Sequence, residues 1–62
     1  MKTIKQILIE RDGMTPEQAD LAIQECKEEF YQRIEEGDME ADNVLMDHFG
    51  LEPDYIDELL EY

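Results

Sequence analysis

From residue 35 to residue 62 the chain has no lysine and no arginine, while eleven aspartates and glutamates fall in that stretch. This absence excludes nucleic acid and anionic membranes as direct partners of the C-terminal half, since both are held by cationic side chains. Tryptophan is missing, and cysteine occurs once, at Cys26, so no intrachain disulfide staples the fold. No apolar run approaches the roughly 20 residues that span a bilayer. The amino terminus, MKTIKQILIE, lacks the apolar core and small-residue cleavage pattern of a signal peptide. Together these absences predict a cytoplasmic protein. Glycine occurs three times and proline twice, few enough for each to mark a particular corner.

Sixty-two residues make one domain, 1–62, and a chain of this size buries only about 60% of its unfolded surface. A thin core puts weight on well-formed caps and turns, or on a partner. The net charge of −13 is unevenly spread: residues 1–34 hold all five basic residues against seven acids, and the remaining eleven acids lie beyond. A field of this kind attracts basic partners and also keeps a small protein soluble.

Thr3 followed by Gln6 has the form of a capping box, and Ile4, Ile7 and Leu8 share one helical face, which predicts a first helix over 4–12. Gly13 closes it, with Met14 placed to contact Ile9 across the corner. Thr15, Pro16, Glu17 and Gln18 form a stronger start for a helix over 16–36. Its stripe of Ala19, Ile23, Cys26, Phe30 and Ile34 faces inward, which makes Cys26 a small core residue, not a reactive thiol. Leu21 and Tyr31 lie off that stripe. Gly37 ends this long helix and Asp38 is positioned to cap a third over 39–49, with Val44, Leu45 and Phe49 inward. His48, in its last turn, has the place of a residue that caps carbonyls. Gly50, Leu51 and Pro53 then make a helix-turn-helix-like corner, with Leu51 set to pack back on Met46. A fourth helix over 53–61 follows, with Ile56, Leu59 and Leu60 inward. The expected fold is an all-α compact bundle of three to four helices around one long central helix.

The corner has an echo. At a constant offset of 37 residues, ILIERDGMTPEQAD aligns with VLMDHFGLEPDYID, matching glycine, proline and the last aspartate. Duplication and convergence both produce such a match; convergence is preferred, because any helix that must stop at glycine and restart at proline adopts this grammar, and repeat arrays usually need three or more units.

Familiar chemistry is absent. Residues 51–62 hold none of the Arg, Lys, Asn or Gln that read bases. Asp38, Glu40 and Asp42 alternate as in a calcium loop, but Asn43 and Phe49 stand where the loop needs glycine and a bidentate glutamate. There is no Ser/His/Asp set, no metal-spaced Cys/His cluster and no phosphate loop, so no catalytic residue, metal or cofactor is expected.

Recognition is what remains. Asp54, Asp57, Glu58 and Glu61 recur at i, i+3, i+4 and i+7, one acidic stripe on one helix face. With Tyr55 and Tyr62 beside it as aromatic anchors, the stripe is the expected contact with a basic, nucleic-acid-binding protein. Carboxylates at nearly every turn imitate a short line of DNA phosphates. The alternative is a small structural or adaptor subunit that docks through apolar helix faces, with the acids serving solubility. At ERDGMTPEQAD, EEGDMEAD and FGLEPDYIDELL the chain resembles short acidic uncharacterised helical proteins of bacteriophages and prophages. That resemblance implies a setting in which small acidic proteins inhibit host enzymes, some by imitating DNA, and it carries no established activity.

Overall fold

Side-chain caps decide where the first two helices begin. In the computed structural model, which describes residues 2–62, helix α1 spans Ile4–Asp12 and α2 spans Pro16–Glu35. Both open on a complete capping box. Thr3 Oγ1 accepts from the Gln6 amide at 3.1 Å while Gln6 Oε1 accepts from the Thr3 amide at 2.9 Å. Thr15 and Gln18 repeat the pair at 3.1 and 3.0 Å. Such a cap contributes about 1 kcal/mol. At the far end of α2 the Gly37 amide returns to the Ile34 carbonyl and the Asp38 amide to the Arg33 carbonyl, at 3.0 and 2.9 Å, which satisfies two otherwise unpaired carbonyls.

The helices expected over 39–49 and 53–61 are composite. Met39 and Glu40 form a turn, Ala41–Asn43 is one turn of 3-10 helix, and α3 proper is Val44–Phe49. Asp38 caps no helix; its Oδ1 accepts from the Glu40 amide at 2.9 Å and closes a local turn. The last segment begins with 3-10 helix over Pro53–Tyr55 before α4, Ile56–Glu61. Its preceding residue, Glu52, makes no side-chain cap, and the Tyr55 amide bonds to the Glu52 carbonyl three residues back at 3.2 Å. Where Thr15 holds an α-helical start, Glu52 leaves a tighter turn.

The echo of the sequence is also an echo of backbone geometry. Gly13 (φ 69, ψ 22) and Gly50 (φ 67, ψ 27) both adopt the left-handed conformation. The next amide then folds back on a carbonyl six residues earlier, Met14 to Leu8 at 3.3 Å and Leu51 to Leu45 at 3.2 Å. Each of these residues is displaced from its counterpart by the same 37 positions. Ile9 and Met14 both pack partly buried on the core, while Leu51 turns inward and Met46 is left exposed.

Every helix uses α2. Its stripe of Ala19, Ile23, Cys26 and Phe30 is buried, and onto it pack Ile4 and Leu8 of α1, Val44, Leu45 and Phe49 of α3, and Leu59 of α4, joined by Ala41 and Leu51. The result is an all-α bundle with no strand among the described residues. Twenty residues at 1.5 Å each make α2 about 30 Å long, so it sets the 33 Å long axis of a molecule only 20 × 19 Å across. Two expected core residues lie elsewhere: Ile34 and Leu60 are exposed, and Ile7 and Ile56 are only partly buried. The stripe of α2 continues past the elements that cover it.

No atom stands within 4 Å of a Cβ added at Gly13 or Gly50, so an alanine there meets backbone strain alone. Gly13→Ala and Gly50→Ala are each expected to lower stability by roughly 1–2 kcal/mol, measured by urea unfolding. A neutral result at either site would show that its corner forms without the left-handed residue.

Candidate functional site

The six residues expected to form the acidic contact are divided between two elements and the residue that follows them. Asp54 and Tyr55 belong to the 3-10 turn; Asp57, Glu58 and Glu61 belong to α4, and Tyr62 follows it. Asp54, Asp57, Glu61 and Tyr62 are exposed, and Tyr55 is half-buried against the core. Glu58 is also half-buried, because its carboxylate Oε2 accepts from the Ile4 amide at 2.5 Å. That amide is one of the unpaired donors at the start of α1, and a carboxylate there meets the positive end of the helix dipole. Glu58 is therefore a tertiary cap. Its two partners are 54 residues apart, out of reach of any local pattern.

Tertiary capping also explains why α4 exists despite its crowded carboxylates. Asp57 and Glu58 occupy its first turn, where negative charge is favourable, Leu59 is fully buried, and Glu58 ties the helix to α1. Arg11 makes a second tie from the other end of α1, donating through Nη2 to the Phe49 carbonyl at 2.7 Å, where α3 ends. The same guanidinium pairs with Asp12 at 2.9 Å; that hydrogen bond holds the Asp12 carboxyl below its ordinary pKa.

The cations are largely engaged. Lys2 pairs with Glu10 at 2.5 Å, and the Lys5 ammonium stands 3.0 Å from Asp20. Arg33 bridges Glu29 at 2.6 Å and Asp47 at 3.0 Å. Its pKa is raised, first by the hydrogen bond to Asp47 and further by Glu29. His48 caps no carbonyl; its Nε2 lies 3.1 Å from the same Glu29 carboxylate. Among the described residues, Arg33 with Asp47 is the one Lys or Arg pairing with an acid beyond residue 34. Asp54, Asp57 and Glu61 have no such pair. Cys26 is buried, and loss of solvent, reinforced by the charge of Glu29, pushes its thiol up to about 11. At neutral pH it is protonated and inert.

Two grooves border α4. One, of about 440 Å³, is formed by Thr3, Lys5, Glu58, Glu61 and Tyr62, so three of the expected contact residues face the first turn of α1. The other, of about 360 Å³, runs between the end of α2, the 38–42 segment and α4, lined by Phe30, Ile34, Asp38, Met39, Ala41, Asp42, Ile56 and Leu60. Its walls include Ile34 at 49% exposure, Leu60 at 39% and Met39 at 97%. Helical periodicity identifies the apolar face of α2 without showing where its cover ends, so this groove is not readable from the pattern. The one available signal is length, because the α2 stripe is longer than a six-residue α4 can cover.

Among the described residues, no three His, Cys, Asp or Glu side chains converge as metal ligands would, and no helix is long and apolar enough to cross a membrane. No protein-family model, curated protein or solved structure matches the chain. The phage-type resemblance therefore rests on the three quoted segments alone.

Separating the capping carboxylate from the free ones gives a direct check. Glu58→Ala is expected to cost roughly 1–2 kcal/mol through loss of the cap. Glu61→Ala, in the last turn of α4 where negative charge opposes the dipole, is expected to be neutral or stabilising by a few tenths of a kcal/mol. Chemical denaturation of the two variants measures the difference. Equal effects would contradict the structural role of Glu58.

Proposed function

We propose that this protein is a non-enzymatic binding protein whose acidic C-terminal half docks on a basic partner of the nucleic-acid-binding kind. The observation that carries this reading is the unbalanced charge of the surface: Asp54, Asp57 and Glu61 are exposed and have no Lys or Arg pair among the described residues. Four of the five basic side chains are meanwhile held by other acids. A partner that supplies lysine or arginine therefore gains attraction without first breaking an internal ion pair. Tyr55 and Tyr62 lie next to Asp54 and Glu61 in sequence, and the exposed Tyr62 with the uncovered side of half-buried Tyr55 offers apolar area beside the charge. Glu58 contributes to this surface only indirectly, by holding α4 in place.

Imitation of DNA is the narrower form of the proposal. Duplex DNA carries about one charge per 1.7 Å of axis, and a six-residue helix is about 9 Å long, so any imitation is limited to a few phosphates. A phage-type setting belongs to this narrower form. The second reading, an adaptor that docks through apolar surface, is favoured by a different observation, the exposure of Ile34, Met39 and Leu60 around one groove.

Affinity capture from a cell lysate at about 50 mM and about 500 mM salt tests the main reading. It compares wild type with a variant carrying Asp54→Asn, Asp57→Asn and Glu61→Gln, with Glu58 left intact. A basic protein retained by wild type, lost from the variant and released by salt is the expected outcome; duplex DNA displacing that protein marks the narrower form. Equal retention by wild type and variant would remove these carboxylates from the interaction.

A further inference from the structure

Three large exposed apolar side chains converge on one place. Ile34 continues the core stripe of α2 by one more turn, Leu60 follows buried Leu59 on α4, and Met39 projects from the turn between α2 and α3. All three line the groove whose walls also include buried Phe30 and Ala41. The other large exposed apolar residues, Leu21, Tyr31, Met46 and Tyr62, do not line it. Methionine on the rim of such a groove adapts to varied side chains because it is unbranched and polarizable.

The rim selects the occupant. Asp38 and Asp42 line the groove, no Lys or Arg does, and Glu35, Glu36 and Glu40 beside it in sequence are all exposed. A second copy of this chain would bring the same acidic rim and another net charge of −13, and an anionic bilayer would be repelled in the same way. A helix with apolar side chains at i, i+3 or i+4, and i+7, and lysine or arginine along its flanks, complements both floor and rim. We propose that this groove seats a basic amphipathic helix of a partner protein. The proposal rests on the reading of this chain as a binder of basic partners, and assigns the anchoring contacts to the groove while Asp54, Asp57 and Glu61 steer the approach.

The test titrates the full chain with a fluorescent synthetic helix of about 14 residues, leucine on one face and lysine elsewhere, and with a scrambled peptide of the same composition. The amphipathic helix is expected to bind at least about tenfold more tightly than the scrambled peptide. Ile34→Ala combined with Leu60→Ala is expected to abolish that preference, with helical content checked by circular dichroism. Met39→Ala, at a side chain outside the core, is expected to weaken the helix severalfold and keeps the test decisive if the double variant misfolds. Equal binding of both peptides to wild type would overturn the groove while leaving the basic-partner reading in place. Binding of neither would overturn both. Self-association of the free protein that Ile34→Ala abolishes would overturn the proposal by assigning the groove to a second copy.

Discussion

The rest of the structure depends on burial of one stripe of α2. Ala19, Ile23, Cys26 and Phe30 are the shared surface on which α1 packs from one side of the sequence and α3 and α4 from the other. In a chain of this size no second core is available. Fully burying a leucine or isoleucine contributes roughly 1.5–3 kcal/mol, and Ile4, Leu8, Ile23, Leu45 and Leu59 are the largest of the fully buried side chains. Among the described residues no charged or polar side chain is buried in the core. The acids lie on the surface, most of them exposed.

Two tertiary caps adapt the helix ends to this arrangement. Glu58 takes the first amide of α1, and Arg11 near the other end of α1 supplies a donor to the last turn of α3. Because α1 is capped at its start by Glu58 and tied near its end to α3, the short C-terminal helices are fixed by polar contacts as well as by Leu59 and Phe49. One carboxylate of the acidic stripe thus serves the fold, and its neighbours are left for solvent or a partner.

What could be read in the sequence was local. The threonine–glutamine boxes, the proline after each corner and the glycines at 13 and 50 are chemistry within a few residues, and the helix starts at Ile4 and Pro16 follow from them. Stripe positions were legible for the same reason, which is why Cys26 and Leu59 are buried as their spacing implies. Three features depended on distant partners. Ile34 and Leu60 lie on apolar faces but beyond their cover, His48 meets Glu29 across the bundle, and Glu58 reaches an amide 54 residues away. Asp38 misled for a local reason: aspartate after glycine caps a helix or closes a turn equally well, and here the Glu40 amide takes it.

The acids beyond residue 34 largely lack internal counter-charge. Of the eleven in that stretch, Asp47 is the one held by a Lys or Arg among the described residues. Such a surface repels itself, which favours a basic partner and weakens the isolated fold. Thermal melting in about 10 mM and about 500 mM sodium chloride, where the Debye length falls from ~30 Å to a few ångströms, measures that repulsion directly. A higher melting temperature is expected at high salt; an unchanged or lower one would mean that these carboxylates do not strain the fold.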